Sequence, residues 1–201
     1  MTSQARTGRS NQKERTRRAI VDATRDLIRT GAEVTMPAVA KSALVSEATA
    51  YRYFPDLVSL LREALAGVWP SPAEALEPVA NSGDPVERVA YATEVLLRHV
   101  LAYQGAVRAM ISGTITRPGA AAARPGYRFG LIDHALRPLD DALTVTSPGS
   151  LDQLKRDLAV VISAESLFTL TDLCGLSPDD AVASAVRTAR TLTEAATRPC
   201  G

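Results

Sequence analysis

From Ser46 to Phe54 the chain reads SEATAYRYF, a stretch that holds two of its five tyrosines and one of its three phenylalanines. The hydroxyls of Ser46, Thr49, Tyr51 and Tyr53 stand close to the Arg52 guanidinium. Hydroxyl and guanidinium groups donate to phosphate oxygens, and a threonine methyl can touch a thymine methyl. The chemistry on offer is recognition of a nucleic acid. Bond-making chemistry is not signalled, because the chain has no G-x-S-x-G, no P-loop and no HExxH. His99 and His134, the only histidines, read as structural or pocket residues. The pairs Asp140-Asp141 and Asp179-Asp180 read as solvated or helix-end charges. No catalytic residue and no cofactor is assigned, and without CxxC or HxxxH spacing no metal site is expected.

Charge points the same way. The net charge is +1, yet residues 1–55 carry ten Lys or Arg against five Asp or Glu, and residues 56–201 carry thirteen against seventeen. Such asymmetry fits a basic end that meets a polyanion. Arg6, Arg9, Lys13, Arg15, Arg17 and Arg18 crowd the start, and residues 1–14 read as a basic flexible tail. A hydrophobic share of 46% and a charged share of 22% describe a globular protein with a real core. No apolar run reaches the roughly 18–20 residues that cross a bilayer. The start, MTSQARTGRSNQKERTRR, lacks the apolar segment of a secretory signal. A cytoplasmic protein with no membrane partner is expected, its two thiols, Cys174 and Cys200, reduced.

Helices must position these groups. From Arg15 to Arg29, Ile20, Ala23, Thr24, Leu27 and Ile28 recur on one face, and Gly31 stops the helix. Thr35 is an N-cap for Met36–Ala43, with Pro37 tolerated in the first turn. Ser46 caps a helix over Glu47–Phe54, where Glu47 suits the positive end. Asp56 opens a fourth helix, Asp56–Val68, carrying Leu57, Leu60, Leu61, Ala64, Leu65 and Val68. The short link between the second and third helices is helix-turn-helix spacing. In the third helix Ala50 and Phe54 share an inward face, which leaves Thr49, Arg52 and Tyr53 on other faces and Tyr51 near the far end. An isolated Y-x-Y would read as core aromatics with a wet tip. In a short helix after a capped turn, within the basic part of the chain, contact with DNA is the better reading.

The residues TRRAIVDATRDLI…GAEVTMPAVAKSALVSEATAYRYFPDLVSLL, over about residues 15–65, resemble the DNA-binding region of the TetR (tetracycline-repressor) family of bacterial transcription regulators. The resemblance implies an all-α fold: an N-terminal helix-turn-helix unit (15–55) and a C-terminal helical domain (56–201) for ligand binding and dimerisation. It implies that Ser46–Tyr53 is the recognition helix in the major groove. Thr35, Thr49, Tyr51 and Tyr53 then lie where the family contacts phosphate and base edges, and Glu47 and Ala48 where it reads bases. Two features depart from the family's pattern. Leu44 stands in the turn where the family usually has Gly, so the turn is either differently shaped or strained. The Lys usual near Leu57 is absent, and Arg17 and Arg18 are candidates to compensate.

The remainder reads as further helices, at Pro85–Tyr103, Gln104–Ser112, Tyr127–Leu143, Leu151–Leu173 and Pro178–Ala196, with a Pro- and Gly-rich loop at Thr116–Gly126. Apolar stripes on the last two helices include Leu158, Val161 and Phe168, then Ala185, Ala189 and Leu192. Two such helices per subunit can pair isologously, and TetR-like proteins dimerise through their last two helices. Glu165, amid apolar neighbours, reads as part of an ion pair with an unidentified Arg. Tyr91, His99, Tyr103, Arg128, His134 and Glu165 are candidates to line a largely apolar effector cavity, with core filling as the competing reading. The function implied is a ligand-responsive repressor that binds a palindromic double-stranded DNA operator as a homodimer. The alternative is a helical interaction module that has lost DNA binding.

Overall fold

In the computed structural model, which describes residues 3–115, 126–139 and 149–198, the chain is helical, with no strand among the described residues. The first helices are α1 (Ser3–Arg29), α2 (Met36–Ser42), α3 (Glu47–Tyr53), α4 (Leu57–Ala64), α5 (Pro72–Ala75) and α6 (Pro85–Ala102). There follow α7 (Gln104–Ile115), α8 (Tyr127–Leu136), α9 (Ser150–Val161), α10 (Ala164–Phe168) and α11 (Pro178–Thr197). The chain divides into two compact units, residues 1–69 with 103–125, and residues 70–102 with 126–201. Most of the loop expected at Thr116–Gly126, the helix end at 140–143, Asp140-Asp141 and Cys200 lie outside the described residues.

The N-terminal unit is assembled from short helices whose ends are fixed locally. Helix α1 starts at Ser3, well ahead of Arg15, because its polar first half has no apolar face to announce it. It closes at Gly31, φ 71°, with the Gly31 amide donating to the Ile28 carbonyl and the Ala32 amide to that of Leu27, both at 3.1 Å. That pair of bonds is a Schellman motif, which needs a left-handed residue at its turn. Three side chains cap the next helices. Thr35 accepts from the Ala38 amide (3.2 Å), Ser46 from that of Thr49 (3.2 Å), and Asp56 from that of Ser59 (2.8 Å). Inside, Ile20, Val39, Ala50, Phe54, Leu60 and Leu61 form one buried cluster. Burying a side chain such as Phe54 stabilises by about 1.5–3 kcal/mol. Helix α7 completes this core through Ala106 and Met110. A Cβ added at Gly113 of α7 would stand 2.7 Å from the Val58 Cγ2 of α4, so glycine is what lets α7 approach.

The C-terminal unit is built around α6, which packs against α8 and α11, while α9 packs against α8 and α11. Val89, Ala92, Leu96 and Leu97 of α6 are buried, as are Ala181, Val182, Ala185 and Ala189 of α11. The small side chains of α11 allow close approach. Arg88, only 4% exposed, was not among the charges expected to matter. Its guanidinium donates to the carbonyls of Val79 (2.7 Å), Ala80 (3.1 Å), His134 (2.8 Å) and Ala135 (3.0 Å). The last two lie in the final turn of α8, where the helix dipole favours a cation. One helix expected over Leu151–Leu173 is in fact broken. Ser163 leaves the helix at φ −148° and accepts from the Ser166 amide (3.0 Å), so a serine cap restarts the chain as α10. A π-helical turn, Thr169–Leu173, follows.

Candidate nucleic-acid interface

Helix α3 separates its faces cleanly. Ala50 is wholly buried and Phe54, its C-cap, is 2% exposed. Glu47, Ala48, Tyr51 and Arg52 are exposed, and Thr49 and Tyr53 are half-buried. The Ser46 and Thr49 hydroxyls bond each other at 2.9 Å. Ser46 and Thr49 thus first serve the helix start, and Thr35 does the same for α2. The Arg52 guanidinium lies over the Tyr53 ring, 5.6 Å from its centre, which orders both side chains. The outward group is a carboxylate, a methyl, a phenol and a guanidinium along one side of a seven-residue helix.

The turn before it resolves the question raised by Leu44. The Leu44 amide donates to the Lys41 carbonyl (3.2 Å) and the Val45 amide to that of Ala40 (3.0 Å), the same Schellman pattern that Gly31 closes. Leu44 adopts φ 55°, the only left-handed residue other than glycine among the described residues. The turn keeps its shape and the leucine carries the strain, of about 1–3 kcal/mol. Its side chain is 93% exposed, so packing within the chain offsets none of that cost.

Cations near this face differ in availability. Arg18 is exposed and makes only a long contact, 3.8 Å, to Glu14 one helical turn away. Lys41, at the exposed end of α2, was missed in the sequence; its outward phase against buried Val39 and Ala40 was the signal. Arg17 is already engaged. It donates to both oxygens of Glu63 and to the Tyr53 carbonyl (3.4 Å), and its guanidinium sits 4.5 Å from the centre of the Phe54 ring.

The residues expected to line an effector site are divided between the two units. Tyr103 packs against the core of the N-terminal unit. Tyr91 and His99 are half-buried on α6, with His99 Nδ1 2.9 Å from the Val95 carbonyl. Arg128 is the arginine that pairs with Glu165, at 3.4 Å, so each offsets the other's charge. His134 lines a cavity of about 380 Å³, with Ser71, Pro72, Ala73, Gly130, Asp133, Arg137 and Lys155. Burial, reinforced by Arg137 and Arg88, lowers the His134 pKa and favours its neutral form. Of the expected interface residues, Leu158, Ala185 and Ala189 are buried inside a single chain. Their stripes are filled by the unit's own helices, which leaves Val161, Phe168 and Leu192, all half-buried, with surface to offer. Among the described residues no group of His, Cys, Asp or Glu is placed to hold a metal ion, and no helix is long and apolar enough to cross a membrane.

The short capped helices α2 and α3, with a polar outer face on α3, form a helix-turn-helix of the DNA-binding class. Residues 20–64 match the family model described as bacterial regulatory proteins, tetR family. A comparison with curated proteins returns no match. Among solved structures, a crystal structure of RolR (NCGL1110) in complex with the ligand resorcinol is similar over 96% of this chain and 98% of that one, with a TM-score of 0.54 and 19% identity. At that identity the likeness concerns the fold. The family match thus falls on α1 to α4, and the likeness in fold extends over the rest of the chain.

Proposed function

We propose that this protein is a ligand-responsive repressor that binds a palindromic operator as a homodimer. In this reading α3 enters the major groove, with Glu47 and Ala48 at base edges, and Thr35, Ser46, Thr49, Tyr51, Arg52 and Tyr53 at base edges or phosphates. The observation that carries it is the division of α3 into a buried face, Ala50 with Phe54, and an exposed face that forms no core of its own. Arg18 and Lys41 add charge beside that face. Dimerisation rests on the outer surfaces of the last helices, where Val160 is 72% and Leu173 82% exposed. The C-terminal unit is the place for a small effector, a proposal supported by the similar RolR structure, which holds resorcinol. An inducer must bind the DNA-incompetent state better, so operator and inducer weaken each other by the same factor.

The test begins with DNA fragments selected by the purified protein, which should contain inverted repeats with half-sites about 34–36 Å apart or a multiple of that. Tyr51→Ala should lower affinity for such a fragment about tenfold, as loss of one good groove contact does, with the helical CD spectrum intact. Unchanged affinity would remove α3 from the interface.

A further inference from the structure

We infer that Arg17 acts as a positioning residue for the recognition helix, through Glu63, rather than as a contact to DNA phosphate. The inference rests on α3 being that helix and adds a means by which its angle is set. A guanidinium offers five N–H donors in one plane. Here Nε and Nη2 bind the two carboxylate oxygens of Glu63, Nη1 binds the Tyr53 carbonyl, and the flat face covers Phe54. Tyr53 is the last residue of α3, where carbonyls lack intrahelical partners and the dipole favours a cation. Glu63 lies in the last turn of α4. Eight residues further along α1, Arg25 donates to the Ala64 carbonyl at 3.0 Å. One face of α1 thus grips the end of α4 at two points and the end of α3 at one.

The lever arm makes this matter. A seven-residue helix is about 10 Å long. With its C-terminal end anchored, a tilt of about 10° would move Ser46 and Glu47 by about 2 Å, more than a hydrogen bond to a base edge tolerates. Inward residues Ala50 and Phe54 limit translation of α3, but a small apolar face gives little torque against tilting. The ion pair supplies direction, since a bidentate guanidinium–carboxylate contact is planar and fixed in angle. A phosphate could recruit Arg17 only by displacing that carboxylate.

The experiment exploits opposite signs. Glu63→Gln removes a negative charge beside the interface. If Arg17 were a phosphate contact restrained by Glu63, freeing it would tighten binding to every DNA and steepen the dependence of log K on log salt by up to about one. A positioning role predicts the reverse: affinity for a selected fragment falls on the order of three- to fivefold, as loss of a half-exposed pair allows. Affinity for a scrambled duplex of equal length does not fall. A second variant joins Arg17→Glu with Glu63→Arg, which keeps net charge and should recover part of the specific-to-scrambled ratio lost in Arg17→Glu alone. Tighter binding by Glu63→Gln, or no recovery in the exchanged pair, overturns the inference. So does an equal loss on both duplexes with reduced helicity, which would mark a merely structural pair. A wild-type protein without preference for any selected fragment would instead defeat the assignment of α3 itself.

Discussion

Arg17 and Arg88 use one side chain in two ways. Arg88 is 4% exposed and directs its donors to backbone carbonyls from α8 and from the segment before α6. Arg17 keeps 39% of its side chain in solvent and binds a carboxylate, one carbonyl and a ring. A buried guanidinium satisfied by fixed carbonyls cannot be withdrawn without stranding them, whereas a half-exposed ion pair exchanges with water at small cost. The C-terminal unit is therefore closed around a point that tolerates no change. The N-terminal unit is held at its surface by a contact weak enough to be adjusted.

Removing the buried arginine should produce the largest effect. Arg88→Met keeps an apolar stem but leaves the carbonyls of Val79, Ala80, His134 and Ala135 without their donor. A loss of about 3 kcal/mol is expected, by analogy with breaking a buried charge contact, read by denaturant unfolding. A midpoint within error of wild type would mean that water replaces the guanidinium, and the contrast with Arg17 would dissolve. Next comes a tight apolar approach in the N-terminal unit. Gly113→Ala sets a methyl 2.7 Å from the Val58 Cγ2, and valine is stiff about its first side-chain torsion. Overpacking of this kind costs about 1–3 kcal/mol, so hydrogen exchange at α4 and α7 should accelerate while that at α6 and α11 stays slow. Uniform acceleration would show that the two units do not open separately. The smallest effect has the opposite sign. Leu44→Gly relieves a left-handed leucine at φ 55°. Relief of about 1–2 kcal/mol is partly offset by the extra freedom of glycine in the unfolded chain. A gain of about 1 kcal/mol, a rise in melting temperature of about 2–4 °C for a chain of this size, should follow. A fall would place Leu44 in a stabilising contact despite its exposure.

How much could be read in advance follows from how local each cause is. Thr35, Ser46 and Asp56 announce their helices because a cap acts within three residues, and Gly31 marks the end of α1 for the same reason. The strain at Leu44 was foreseeable as one of two outcomes, since a departure from glycine in a turn leaves few conformations. The break at Ser163 was missed because an apolar run hides a serine whose hydroxyl competes for the backbone. Arg88 was missed for a different reason: its acceptors on α8 lie 46 and 47 residues away, and no spacing rule joins them. The sequence makes Arg17 a candidate DNA contact, because Glu63, likewise 46 residues distant, gives no hint of being its partner. Leu158, Ala185 and Ala189 mark the limit of stripe reading. Small apolar residues at helical spacing specify a packed face without saying whether the partner is the same chain or another.

The path of the chain through the N-terminal unit has a consequence for genetics. Its core is finished by α7, which is encoded after α6, a helix of the other unit. A gene fragment ending at residue 69 would encode the reader without Ala106 and Met110, leaving α4 with an uncovered apolar flank. Exchanging reading heads between regulators by a single crossover downstream of α4 would join one parent's α4 to the other's α7, with Val58 facing a residue it was never fitted to. Such chimaeras should work when both parents carry glycine at the position of Gly113 or when residues 103–115 travel with the head. Recombination within this architecture thus has two breakpoints to satisfy.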